Sequence, residues 1–148
     1  MRSRRSLTFF CLALFLGMAS GVRASNTDKI TVETSSTSIY IGKVTLLVAP
    51  LARQNGVYTG DYRAKVFPYF FMNEHGTFRL EVSDEDLARV AKGETIEFKG
   101  HAENSGREER KITGRATPDD AVHGKIKVRI FVTDKIQLIF NTTYRFDG

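Results

Sequence analysis

The sequence predicts an all-β protein, an antiparallel β-sandwich or small β-barrel of about eight or nine strands with one short helix. Apolar and polar residues alternate through most of the chain, turn residues recur about every 8–12 positions, and one segment has helical spacing. A length of 148 residues, with 41% hydrophobic and 26% charged residues, suits one globular domain, and no repeat or linker divides it. We therefore expect residues 25–148 to form a single β-rich domain.

The first 24 residues have the pattern of a secretory signal peptide. Arg2, Arg4 and Arg5 give a basic start, residues 7–18 are apolar, and small residues precede a cleavage position before Ser25. The apolar run is shorter than the roughly 20 residues of a membrane-spanning helix. We therefore expect cleavage, and no transmembrane segment in the mature chain.

The export route and the redox state follow from the same segment. Arg4 and Arg5 resemble the start of a twin-arginine signal, but Thr8 and Phe9 depart from that pattern and the apolar run is strongly hydrophobic. We therefore favour the general secretory route, with a destination in the periplasm or outside the cell. Cys11 is the single cysteine and lies within the signal, so we expect a mature domain free of disulfides.

The net charge of the chain belongs mostly to the signal peptide. The whole sequence carries 22 basic and 17 acidic residues, a formal charge of +5. Four of the basic residues lie in the first 24 positions, which leaves 18 basic against 17 acidic residues in the mature chain. A nearly neutral protein has no electrostatic footprint for DNA or RNA, so we expect no nucleic-acid partner.

The N-terminal half of the domain reads as a series of strands after a flexible lead at residues 25–28. Asn55 and Gly56 suit the two positive-φ positions of a type I′ hairpin turn. Residues 73–76 are expected to form a second tight turn, and the polar residues 34–38 a break between strands. The expected strands are residues 29–33, 39–53, 58–72 and 77–82.

One helix is expected over residues 84–92, followed by further strands. Ser83 is a suitable N-cap, three acidic residues fill the first turn, and Gly93 suits the position after the helix end. Alternating apolar residues then resume, with turn residues between the runs. The expected strands are residues 95–102, 107–116, 125–132 and 135–146.

Residues 44–51 and 66–72 are apolar on both faces of their expected strands. A half-exposed strand needs only one apolar face, so the second face requires an explanation. Three explanations stay open: cover by the helix or the N-terminal strand, a subunit or partner interface, and an apolar pocket for a lipid-like ligand. Pro50 and Pro68 indicate sheet edges or bulges, where pockets and partners are common.

Seven residues are candidate contacts for a ligand or partner. They are Tyr58, Tyr62, Arg63, Lys65, Phe67, Tyr69 and Phe71. The aromatic rings would supply desolvated contact area, and the two cations would orient an acidic or polar head group. We therefore expect an exported, non-enzymatic protein that binds a hydrophobic or amphipathic small molecule or a protein. The alternative is an interaction module that forms a homo-oligomer or a partner interface through the same strands.

A second candidate surface is a basic stripe on one face of the strand at residues 125–132. Lys125, Lys127 and Arg129 alternate there with apolar residues, an arrangement that suits an ordinary solvated face or contact with anions and polysaccharides. The chain contains no nucleophile elbow, no phosphate-binding glycine loop and no closely spaced histidine pair. We therefore expect no catalytic residue, metal or cofactor, and a hydrolase is the less favoured alternative.

Overall fold

The computed structural model describes residues 26–148, and the predicted signal peptide at residues 1–24 lies outside the described residues. The predicted all-β class with one short helix is confirmed, and the fold is a closed barrel. Besides the strands, the chain forms α1 (Asp84–Ala91) and a 3₁₀ helix over Phe70–Met72. The strands of the described part are β1 (Lys29–Val32), β2 (Ser35–Ile39), β3 (Gly42–Val48), β4 (Leu51–Gln54), β5 (Val57–Phe67), β6 (Glu74–Glu81), β7 (Ile96–Asn104), β8 (Glu109–Pro118), β9 (His123–Phe131) and β10 (Gln137–Phe146).

Eight of these strands close into a ring. Their order is β5-β4-β1-β10-β9-β8-β7-β6, and pairing of β6 with β5 completes the circle. All pairs are antiparallel. Strands β2 and β3 extend the sheet beyond the ring, because β3 continues the path of β4 along β5 and β2 pairs with β3.

The polar segment at residues 34–38 is a strand rather than the expected break. Residues 35–39 form β2, in which Ser35 lies opposite Leu46 and Ile39 lies opposite Gly42. The hydroxyl groups of Ser36 and Thr45 are 2.9 Å apart across the strands, so this polar pair is satisfied within the sheet. Because β2 has few apolar residues, it shows no apolar alternation that would predict a strand. Its backbone nevertheless pairs with β3.

The expected strand over residues 39–53 is divided into β3 and β4 by Ala49 and Pro50. Proline has no N–H to donate to a ladder, and the interruption changes which residues point inward. As a result Leu51 lies in the core, only 1% exposed. Gly60 faces it, and a Cβ atom at that position would lie 2.6 Å from Leu51 Cδ2.

Of the two turns predicted in this region, one is confirmed and the other is misplaced. Asn55 and Gly56 have φ values of 51° and 78°, as the predicted type I′ turn requires. The turn expected at residues 73–76 is wrong, because β6 already begins at Glu74. The chain instead reverses at residues 68–73, where the Asn73 side chain accepts a hydrogen bond of 2.8 Å from the Val66 backbone N–H.

The predicted helix is confirmed and covers one end of the barrel. The Ser83 hydroxyl accepts a hydrogen bond of 3.1 Å from the backbone N–H of Asp86, and Gly93 follows the helix with φ 83°. Val90 is buried, and Leu87 packs against the core. No helix within residues 26–148 has the length and apolar character needed to cross a bilayer.

The barrel interior is filled by alternating side chains. Every buried apolar residue from Tyr58 onward has an even number, which shows that the connections preserve the inward and outward alternation from strand to strand. Two spaces of about 40 Å³ and 20 Å³ remain between these side chains. Cavities that hold organic ligands are typically about 300–1,000 Å³, so the described interior is a packed core.

Replacement of Gly114 by alanine is expected to lower the free energy of unfolding by about 1–3 kcal/mol through overpacking. Gly114 lies opposite Phe98 in the sheet, and a Cβ atom there would lie 2.1 Å from the Phe98 ring. The measurement is urea unfolding followed by circular dichroism. The matched control is Gly106→Ala, whose Cβ meets only the Asn104 side chain at 3.3 Å and should change stability by less than about 0.5 kcal/mol. Equal effects of the two variants would contradict this packing.

Candidate functional site

Large apolar side chains are exposed together at the barrel end opposite α1. Six of the seven exposed large hydrophobic residues in the described chain lie on two loops at that end, and each is more than half exposed. The seventh, Ile136, lies at the same end in the loop between β9 and β10. We call the surface of the six residues the aromatic tip. Its residues are Tyr40, Ile41, Phe67, Phe70, Phe71 and Met72.

The aromatic tip is one surface built from two loops. Tyr40 and Ile41 form the turn between β2 and β3, and the other four residues lie at the connection between β5 and β6. Lys43 is opposite Phe67 in the sheet, and a Cβ atom at Gly42 would lie 2.1 Å from the Phe67 carbonyl oxygen. The two loop backbones therefore touch, and only glycine permits this approach.

The longer loop is held by the half-buried Tyr69, by a backbone hydrogen bond and by edge contacts among its rings. Tyr69 is half-buried and packs against the core, and the backbone N–H of Met72 donates to its carbonyl at 2.9 Å. The Phe71 ring makes an edge contact with Tyr69, with ring centroids 5.9 Å apart. Phe67 and Phe70 form a second edge contact at 5.8 Å. The exposed rings are thus displayed on an anchored loop.

Three cations lie behind the aromatic tip on one wall of the barrel. Lys43, Arg63 and Lys65 are exposed on the outer face of β3 and β5 directly behind it. Within residues 38–45 and 63–75 the single acidic residue is Glu74. That carboxylate points into the barrel and pairs with Arg110, so it does not neutralise the outer cations.

An ion pair between Glu74 and Arg110 closes the barrel beneath the aromatic tip. Arg110 donates to both carboxylate oxygens, with Nε to Oε1 at 3.0 Å and Nη2 to Oε2 at 2.7 Å. The Tyr62 hydroxyl donates to Oε1 at 2.7 Å, and the Asn104 amide donates to Oε2 at 3.2 Å. Arg110 also donates to the carbonyl of Val132 at 3.1 Å, so the cluster ties four strands and a loop together.

The titration of this cluster fits a structural role. Hydrogen bonding from Arg110 lowers the pKa of Glu74 to about 2, and burial opposes the effect. Burial and the bond to Glu74 raise the pKa of Tyr62 above its ordinary range. Neither group changes protonation near neutral pH. Within residues 26–148, moreover, no group of three or more His, Cys, Asp or Glu side chains is arranged to hold a metal ion.

The structure separates the seven predicted contact residues. Phe67 and Phe71 lie at the aromatic tip, and Arg63 and Lys65 lie on the outer wall behind them. Tyr69 is the half-buried support of the longer loop. In contrast, Tyr58 and Tyr62 are inside the barrel, 2% and 4% exposed. The single continuous surface expected from the sequence therefore does not form.

Alternation along β5 explains this separation. Even-numbered residues of β5 point inward, so Tyr58 and Tyr62 cannot share a face with Arg63, Lys65 or Phe67. The Tyr58 hydroxyl donates to the carbonyl of Thr27, and burial raises the pKa of Tyr58 to about 12. Four residues of the aromatic tip were not among the predicted contacts. Two of them, Tyr40 and Ile41, directly precede Gly42 and form a turn, and this apolar pair before a glycine is a signal that the sequence does contain. The missed residues are Tyr40, Ile41, Phe70 and Met72.

The predicted basic stripe is exposed but lies far from the aromatic tip around the ring. Lys125, Lys127 and Arg129 point outward from β9, and β9 is four strands from β5 in either direction. A groove of about 970 Å³ borders this wall. Its charges are mixed, because Glu97 pairs with Arg115 at 2.8 Å beside Lys127. The stripe therefore belongs to a different surface.

Comparison of the chain with protein-family models, with curated proteins and with solved structures finds no match.

Replacement of Glu74 by glutamine is expected to lower the free energy of unfolding by about 2–3 kcal/mol near pH 7, because Arg110 loses its charged partner. The folded carboxyl has its pKa lowered from 4.5 to about 2. Its contribution is therefore complete above about pH 4.5 and is lost as the pH falls toward 2. Urea unfolding of the unaltered protein and of the Glu74→Gln variant should therefore give free energies that approach each other as the pH falls.

The control for this prediction is Glu97→Gln, which removes a surface pair with Arg115 whose side chains are 75% and 62% exposed. Such pairs contribute little, so the expected change is within about 0.5 kcal/mol. A Glu74→Gln deficit that is the same near pH 7 and pH 2.5 would contradict the assigned role of the ion pair.

Proposed function

We propose that this protein is an exported, non-enzymatic binding protein that attaches to an apolar or amphipathic partner through the aromatic tip. One observation carries the proposal: six of the seven exposed large apolar residues of the described chain lie on two touching loops. The free energy is lowered when a partner removes solvent-exposed apolar groups from water. A cluster of this kind on an anchored loop is typical of an interaction site.

Export is supported by the N-terminal segment. The basic start, the apolar run and the small residues before Ser25 have the order of a secretory signal. The barrel that follows carries no cysteine, so it needs no oxidising compartment to fold. A partner in the periplasm or outside the cell is therefore proposed.

Binding at the outer tip is favoured over a ligand inside the barrel. The two interior spaces of about 40 Å³ and 20 Å³ are far below the volume of a lipid-like molecule. A non-enzymatic role is favoured because Glu74, the described carboxylate with the most strongly lowered pKa, is paired with Arg110, and a carboxyl group with a pKa of about 2 is a weak base near neutral pH. The exposed rings remain the surface best suited to bind.

Replacement of Phe70 and Phe71 by serine is expected to weaken binding of an amphipathic probe at least about tenfold, because two exposed phenyl groups no longer contribute apolar area. The probe is dodecylphosphocholine below its micellar concentration, titrated into the ¹⁵N-labelled exported protein. Amide shifts should concentrate at the aromatic tip. The fold should persist, because neither ring is buried.

The matched control is Ile136→Ser, which removes the remaining exposed large apolar residue, itself outside the aromatic tip. It should bind the probe as the unaltered protein does. Amide shifts located elsewhere, or equal affinity of the Phe70→Ser/Phe71→Ser protein, would overturn the proposal. Light scattering in parallel tests the alternative partner: a dimer that these two substitutions abolish would identify a second copy of the chain.

A further inference from the structure

Side chains of the aromatic tip project into the solvent. Its outermost side chains, Tyr40 and Phe71, are 104% and 85% exposed and stand at the ends of two loops. A folded protein partner would need a matching concave pocket to cover such projections. A lipid layer adapts to projecting side chains, and aromatic rings are favoured at its boundary with water.

The spacing of charge behind the tip matches the layering of a lipid surface. Lys65 precedes Phe67 by two residues on the same outer face of β5, and Lys43 follows Ile41 by two residues on β3. At about 3.3 Å per residue, the backbone of Lys65 lies about 7 Å behind Phe67. Lys43 is opposite Phe67 and directly behind the turn that carries Ile41. Apolar groups of interfacial proteins enter the boundary of head groups and acyl chains to about 5–10 Å, which places these cations among the phosphates.

The sign of the charge selects the kind of lipid. Lys43, Arg63 and Lys65 are exposed behind the tip, and the acidic residue of these segments, Glu74, is turned inward onto Arg110. Cations near a membrane surface are each attracted to anionic lipids. A zwitterionic lipid surface has no net charge, so these cations would gain little attraction from it.

We propose that the partner of the aromatic tip is an anionic lipid bilayer, into whose surface the six apolar side chains insert while Lys43, Arg63 and Lys65 contact the head-group phosphates. This inference rests on the proposed function and adds the chemical class of the partner. The long axis of the barrel then points away from the membrane surface, and α1, at the opposite end, faces the solvent. The protein is a reversible surface binder, because only loop residues insert.

Vesicle partitioning with a single fluorescent reporter tests the proposal. The chain has no tryptophan, so Tyr40→Trp introduces one emission centre at the tip. Vesicles of phosphatidylcholine with about 30% phosphatidylglycerol should shift its emission to the blue and bind at least about tenfold more strongly than pure phosphatidylcholine vesicles. Lipids with a quencher in the upper acyl chain should quench it.

Variants separate insertion from charge. In the Tyr40→Trp background, Phe70→Ser/Phe71→Ser should lower partitioning at least about tenfold on the anionic vesicles. Lys43→Gln/Lys65→Gln should lower it about tenfold on anionic vesicles and less than about twofold on neutral ones. The matched control, Lys125→Gln/Lys127→Gln, removes the same charge from the opposite wall and should lower it less than about twofold.

Several outcomes would overturn the inference. Equal binding to neutral and anionic vesicles would reject the role of charge, and an equal loss in the Lys125→Gln/Lys127→Gln control would place the contact on the basic stripe. Failure to bind any vesicle, with dodecylphosphocholine shifts still at the tip, would reject the bilayer and leave the proposed function intact. Loss of both signals would reject the proposed function itself.

Discussion

Closure of the eight-stranded ring is the constraint on which the rest of this structure depends. Once β6 pairs with β5, every strand of the ring has two neighbours, and its residues must alternate between a packed interior and the outer wall. The alternation assigns Tyr58 and Tyr62 to the core and Arg63 and Lys65 to the wall. Ring closure therefore determines which side chains of the strands are accessible to a partner.

The two ends of the barrel are closed by different chemistry. At one end α1 covers the core with Leu87 and Val90, an apolar contact. At the other, the ion pair of Glu74 and Arg110 and its hydrogen bonds seal the interior with polar groups. None of the hydrogen bonds in this polar cluster involves an exposed ring of the aromatic tip. The exposure of these rings is a property of the surface and not a defect of the core.

Alternation, capping and turn residues were sufficient to predict the class of fold, the helix and the turn at Asn55 and Gly56. They failed where the pattern carries no contrast. The polar strand β2 has no apolar face to reveal it. Alternation along β5 does separate Tyr58 and Tyr62 from Arg63 and Lys65, and the prediction was wrong because it combined both faces of this strand into one surface. The ion pair of Glu74 and Arg110 joins residues 36 positions apart, which only the register of the strands brings together.

Stability and the proposed binding are carried by different side chains of the same loops. Tyr69 packs on the core, Asn73 binds the backbone of Val66, and Gly42 permits the close approach of the two turns. None of these contacts requires a phenyl ring at position 70 or 71, where polar residues would leave less apolar surface in water. The edge contacts of Phe70 with Phe67 and of Phe71 with Tyr69 leave most of both rings exposed. Folding therefore explains only part of this apolar surface, and the proposed partner would account for the rest.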